Sequence, residues 1–203
     1  MQLIIISGPS GSGKTTLSEI IFKRFKNGII LNTDNYYKTG LKSLILSKII
    51  PSYFDRLISF NYKLFKKDLD FVLKNGSSNF FYEYNFKNRS IKKINKITKN
   101  IRLVIVEGIF AHEIIGSLGD ENSILINLKI NKNLCMKRVI KRDNEERGKN
   151  KLLAKRDFIK AWELFFNKKN KNKKRKNNNF KKYTIENKSD LNTLLRYLTN
   201  IVN

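Results

Sequence analysis

Gly8-Pro9-Ser10-Gly11-Ser12-Gly13-Lys14-Thr15 satisfies the spacing G-x-x-x-x-G-K-[ST] in full. The residue types suit a polyphosphate. Glycines let the backbone curl so that successive N–H groups point inward at phosphate oxygens. A helix that starts at Lys14 aims its positive end at the same anion. Lys14 is expected to reach the β- and γ-phosphates, and the Thr15 hydroxyl to ligate Mg²⁺. With Thr16, residues 8–16 are the candidate cofactor-binding segment, and the expected cofactors are ATP (or GTP) and Mg²⁺. A plain Gly/Ser turn that binds nothing would not need an apolar strand before it and an amphipathic helix after it. The motif leaves the phosphate acceptor open.

Acceptor chemistry needs carboxylates, because phosphoryl transfer is mostly positioning and charge neutralisation, with one carboxylate orienting the nucleophile. Asp34 follows an apolar run in Asn32-Thr33-Asp34-Asn35-Tyr36-Tyr37. Asp55 sits in Tyr53-Phe54-Asp55-Arg56, and an acceptor-only carboxylate suits two vicinal hydroxyls. Glu107 ends the run Val104-Ile105-Val106-Glu107-Gly108, the Walker B position beside a phosphate loop. Taken singly, Asp34 also reads as an Asx turn and Asp55 as a solvated loop acid.

The elements that must hold these residues follow from periodicity. Apolar runs at 1–7, 29–31, 103–106 and 124–130 read as strands buried on both faces, and 183–186 as a last strand. Helical spacing marks 14–25 (Leu17, Ile20, Ile21, Phe25), 60–74 with a stop at Asn75-Gly76, 152–166 and 191–202. Asn131 or Asn133 caps a further helix with Leu134, Val139 and Ile140 inside. Strands alternating with helices predict an α/β P-loop NTPase/kinase fold: a parallel five-stranded sheet, helices on both faces, and a small lid. Residues 1–203 read as a single domain, the lid at about 142–156 and a basic low-complexity loop at 168–182.

The order of these elements resembles the uridine kinase (uridine–cytidine kinase) family of P-loop phosphotransferases over about residues 2–149. The family carries Asp, one residue, then an aromatic-Tyr pair where Asp34, Tyr36 and Tyr37 stand. The resemblance implies that Asp34 takes the proton of the nucleoside 5′-hydroxyl and lies near Mg²⁺, with Tyr37 close to the nucleoside. Asp55 matches the Asp of the family's Phe-Asp-His-Pro, which holds the ribose hydroxyls, although Arg56 and Leu57 replace His-Pro. Tyr82, Tyr84 and Arg89 match a Tyr-Asp-aromatic-x-x-His-x-Arg segment, whose base-reading His is Lys87 here. Read without the family, residues 80–86 are an alternating aromatic hairpin that only packs. Glu107 would join Thr15 and Asp34 around the metal. Arg138, Arg142, Asp143, Glu146, Arg147 and Gly148 match the lid, with Val139 replacing the second Arg of a tandem pair. Arg142 and Arg147 are the candidate catalytic lid cations, beside Lys14 and Asp34, and Arg138 a candidate substrate contact. The implied reaction is transfer of a γ-phosphate to the 5′-hydroxyl of uridine or cytidine. A phosphoribulokinase- or pantothenate-kinase-like acceptor, and a nucleic-acid-binding NTPase, are the alternatives.

Composition trims these choices. A net charge of +25, from 42 Lys+Arg against 17 Asp+Glu, invites a nucleic-acid partner. Yet Lys outnumbers Arg 32 to 10 and Ala occurs three times, the mark of A/T-rich codons rather than of a phosphate reader. The expected partner is a small nucleoside, not nucleic acid and not a membrane; homo-oligomerisation stays open. Cys135 stands alone, so no internal disulfide forms. No apolar run approaches the roughly 20 residues that span a bilayer. Met1 to Ile6 lacks the charged flank of a signal peptide, and the expected location is the cytoplasm.

Overall fold

Leu3 to Ser7 are buried without a break, and so are Leu103 to Glu107. Such two-sided burial is possible only for the inner strands of a parallel sheet covered on both faces. In the computed structural model, which describes residues 1–86, 88–114, 123–173 and 181–202, these runs are β1 (Gln2–Ser7) and β5 (Leu103–Glu107). Lys87, and residues 174–180 of the basic stretch, lie outside the described residues. In chain order the other elements are α1 (Lys14–Arg24), β2 (Gly28–Asn32), α2 (Leu41–Ile49), α3 (Tyr62–Asn75), β3 (Ser78–Asn85) and β4 (Ser90–Thr98). After β5 come α4 (Ala111–Ile114), β6 (Ile124–Leu128), α5 (Lys132–Glu145), α6 (Lys151–Lys173), β7 (Lys181–Ile185) and α7 (Lys188–Val202).

The five-stranded sheet has the order β2-β5-β1-β6-β7, and every pair is parallel. Strand alternation splits the apolar residues between two faces. Leu3, Ile5, Val104 and Val106 join α3 and the β3–β4 hairpin in one core. Ile4, Ile6, Leu103 and Ile105 join α1 and α7 in the other. The expected fold class is therefore the observed one. β1 sits where the chain connects to opposite sides of the sheet, and ligands in such sheets bind outside the carboxyl ends of the strands. Asn32, Glu107 and Ile6 lie side by side there in register.

Helix boundaries follow local chemistry. The Asn61 side chain accepts from Leu64 N at 3.3 Å and starts α3; Gly76, at φ 59°, ends it as expected. Of the two candidate caps for α5, Asn131 acts, accepting from Asn133 N at 2.8 Å. The buried face of α5 is Cys135, Val139 and Asp143, not Leu134, which is 43% exposed. Ile20 on α1 likewise faces outward, because Leu17, Ile21 and Phe25 already fill the sheet-facing stripe. No described helix is long and apolar enough to cross a membrane.

Gly108 closes the gap between β5 and the turn after β2. Its φ is 142°, and a Cβ there would lie 1.8 Å from Thr33 Oγ1, on a fully buried side chain. Gly108→Ala is expected to cost about 2–4 kcal/mol, from strained backbone plus the clash. Thermal unfolding of the variant checks this, and an unchanged midpoint would contradict the packing.

Candidate active site

The loop from Gly8 to Gly13 leaves β1 and enters α1. Gly11 has φ 78°, and a Cβ there would stand 2.5 Å from the Cys135 carbonyl oxygen. The loop thus packs backbone to backbone on α5 and admits no side chain at that point. Gly13 is the N-cap of α1 and no side chain caps it, which leaves the first helical N–H groups to an anion. Lys14 is buried, and its Nζ donates to the Pro9 carbonyl at 3.0 Å. Burial lowers the Lys14 amine below its ordinary value, against the pull of Glu107 and Asp34.

Thr15 Oγ1 donates to Glu107 Oε1 at 3.1 Å. Glu107 is 2% exposed, and burial pushes its carboxyl up to about 7; Lys14 opposes the rise and Asp34 adds to it. Asp34 lies in a 3-10 turn, Thr33–Tyr36, whose start is fixed by Asn32 Oδ1 accepting from Asp34 N at 2.8 Å. The buried oxygens Ser12 Oγ, Thr33 Oγ1 and Asp34 Oδ1 have no hydrogen-bond partner. A hydroxyl, a buried carboxylate and a partnerless carboxylate oxygen fit a small hard cation. The described residues contain no cluster of three or more His, Cys, Asp or Glu. Such a cation would therefore also draw on phosphate and water oxygens, as Mg²⁺ habitually does.

Two cavities flank this centre. A groove of about 560 Å³ runs along Gly11–Thr16 to Glu107, Ile130 and Arg138. A cleft of about 470 Å³ is lined by Tyr37, Asp55, Tyr84, Phe86, Arg89 and Arg147, among others. Both volumes are in the range of small-ligand sites. Ser10, Asp34, Ile109 and Arg142 line both, so the cavities meet at a carboxylate and a guanidinium.

The cleft has an aromatic wall. Tyr37 is buried, with its ring 5.2 Å from Tyr84 and 5.4 Å from Phe54, and burial raises its phenol well above the ordinary value. Asn35 Oδ1 accepts from Tyr84 N at 3.1 Å, which ties β3 to the turn that carries Asp34. Arg89 lies over the Phe54 ring at 5.3 Å and donates to Ser47 Oγ at 2.6 Å. Asp55, Tyr37, Tyr84, Arg89, Arg142 and Arg147 are thus brought together as the sequence led us to expect.

Two residues are not. Tyr82 shares the face of β3 with Tyr84, but its ring packs edge-on against Tyr36, with centroids 5.5 Å apart, in a separate cavity. Asn35 and Tyr36 of the 3-10 turn line that cavity, while Asp34 and Tyr37 line the cleft, which Tyr82 does not line. Arg138 lies on the groove side, where its Nη1 donates to the Gly11 carbonyl at 3.2 Å. It braces the phosphate loop rather than the cleft.

Asp143 gathers the cations at the end of α5 and the turn that follows it. Its side chain is 5% exposed and accepts from Arg142 Nη2 at 2.8 Å, with Arg147 Nη1 at 3.4 Å and Lys149 Nζ at 3.5 Å. Arg147 is further fixed by stacking over the Phe86 ring at 3.9 Å. The sequence does carry a signal for Asp143, since it continues the i, i+4 series Cys135, Val139 onto the buried face. Asp143→Asn would leave three cations without their shared counter-ion. It is expected to lower the unfolding midpoint and to reduce turnover by about 10- to 100-fold through misplacement of Arg142 and Arg147. Thermal unfolding and initial rates check both effects.

The model of the phosphoribulokinase / uridine kinase family matches residues 3–157. The uridine kinase of Staphylococcus aureus (strain JH9) is 31% identical over 148 residues, which cover 72% of this chain and 70% of that protein. Among solved structures, D-glycerate 3-kinase from Cryptococcus neoformans is 12% identical, with a TM-score of 0.61 over 91% of this chain and 86% of its own. A candidate fructose transport system kinase from Silicibacter sp. TM1040 is 18% identical, with a TM-score of 0.62 over 80% and 84%. At such identity the two structures bear on the fold alone.

Proposed function

The chain belongs to the phosphoribulokinase / uridine kinase family, and on that premise we propose that it transfers the γ-phosphate of ATP to the 5′-hydroxyl of uridine or cytidine. The observation that carries the proposal is the junction at Asp34 and Arg142, which line both the phosphate groove and the acceptor cleft. A hydroxyl held in the cleft and a terminal phosphate held in the groove would meet at those two side chains.

Residues 1–203 then act as one kinase domain, with 142–156 as its lid. Lys14 and the loop amides hold the β- and γ-phosphates. Thr15 and Glu107, with Asp34 nearby, would hold Mg²⁺. That ion neutralises phosphate charge when bound. Asp34 accepts the proton of the attacking hydroxyl at its carboxylate, one oxygen of which is buried and has no hydrogen-bond partner. Asp55 accepts from the ribose hydroxyls, while Tyr37 and Tyr84 give the base an apolar wall. Arg142 offsets charge at the transferring phosphate, and Arg147 holds the lid shut over it.

A second reading keeps the chemistry and changes the acceptor. Arg89, Arg156 and Lys160 in the cleft lining would suit a phosphorylated sugar. Incubation with ATP, Mg²⁺ and a panel of uridine, cytidine, ribulose 5-phosphate and pantothenate separates the readings. Phosphorylation of either pyrimidine nucleoside is the expected result; its absence beside a phosphorylated alternative would overturn the first reading.

A further inference from the structure

α2 presents its polar side to the protein and its apolar side to the outside. Ser43 is buried and its Oγ donates to the Lys38 carbonyl at 2.8 Å, while Ser47 accepts from Arg89. On the outer face Leu41, Leu44, Ile45 and Ile49 are 74%, 39%, 48% and 69% exposed. Their spacing of i, i+3, i+4 and i+8 makes one stripe. Leu57 and Ile58 follow in a later turn, 43% and 45% exposed. Singly exposed apolar residues are ordinary, but a continuous stripe on one helix marks a surface that is covered in use.

Charge identifies the cover. Lys38, Lys42 and Lys48 surround the stripe, all exposed, and no acid occurs from Asn35 to Phe54. A second copy of this chain fits poorly. It would set the same lysines against each other on a molecule of net charge +25. The stripe is also far short of the roughly 20–30 residues a side that a stable dimer uses. An apolar layer behind fixed negative charges fits both features.

We propose that α2 docks the protein on an anionic lipid surface, with the four apolar side chains at the acyl boundary and the lysines among the headgroup phosphates. This is contact with one leaflet, not a span, and it revises the expectation of no membrane partner, which rested on spanning length. The last turn of α2 and Pro51 also line the acceptor cleft, so the docked protein would open that cleft beside the bilayer.

The test uses the full chain, vesicles of phosphatidylcholine with phosphatidylglycerol, and vesicles of phosphatidylcholine alone. Sedimentation with the anionic vesicles is expected, weakening as salt rises. The double variant Leu41→Asp/Ile45→Asp, at exposed sites that leave the fold intact by circular dichroism, is expected to lose about tenfold or more of that partition. Lys38→Gln/Lys42→Gln is expected to weaken binding to the anionic vesicles alone. Three outcomes would overturn the proposal. They are no sedimentation, equal sedimentation of the wild type and the Asp variant, and a concentration-dependent dimer in light scattering that the Asp variant abolishes.

Discussion

Asp34→Asn is expected to retain ATP binding and to lose about 10²–10⁴-fold in turnover, the span of a single general base. Asn has the same shape and keeps the backbone bond from residue 34 to Asn32 Oδ1 at 2.8 Å, so the 3-10 turn should persist. The amide cannot take a proton from the attacking hydroxyl, and it is also a weaker oxygen ligand for Mg²⁺. In the proposed mechanism the phosphates are held by Lys14 and the loop amides, which the substitution does not touch. Calorimetric titration of nucleotide and initial-rate assays therefore separate the two roles. Near-normal turnover would remove Asp34 from the mechanism, whereas lost nucleotide binding would make it a structural residue of the groove.

Glu107→Gln is expected to stabilise the ligand-free protein at high pH while impairing transfer. The Glu107 carboxyl is raised to about 7 by burial, from an ordinary value of 4.5. Between those values the folded state holds the proton more often than the unfolded state does. Stability therefore falls as pH rises through that window, and the penalty is complete above about pH 7. Gln carries no such penalty and can still accept from Thr15 Oγ1. The variant should match the wild type near pH 4.5 and exceed it by about 3 kcal/mol at pH 8. With Mg²⁺ and ATP the ranking of activity reverses, because the amide is a poor ligand for a hard cation. A turnover loss of about 10²-fold or more, with a raised Mg²⁺ requirement, is expected. Chemical denaturation across pH, and Mg²⁺ titration of the rate, measure the two halves independently.

What the sequence discloses about this site is what lies at strand ends. Lys14, Asp34 and Glu107 each follow an apolar run, and a parallel sheet necessarily gathers such positions at one edge. Asp55, Tyr84 and Arg89 came from motif resemblance and do converge on one cleft. Sequence and structure part where a local pattern must choose between tertiary neighbours. Alternation correctly puts Tyr82 and Tyr84 on one face of β3. It cannot reveal that the turn after β2 divides that face between two cavities. Arg138 and Arg142 are one helical turn apart on α5, yet Arg138 faces only the groove while Arg142 reaches the junction. The helix at Leu41–Ile49 escaped notice because its apolar residues face away from the core, contrary to the pattern by which a packed helix is recognised.

The central claim is that a nucleoside 5′-hydroxyl, held in the cleft, receives the γ-phosphate at Asp34. Phosphorus NMR of a reaction containing the protein, uridine, ATP and Mg²⁺ tests it most directly. A new phosphate-monoester resonance coupled to the two 5′-methylene protons is expected, growing one for one with loss of ATP. Release of inorganic phosphate without that resonance, or a monoester on the 2′- or 3′-oxygen, would contradict it.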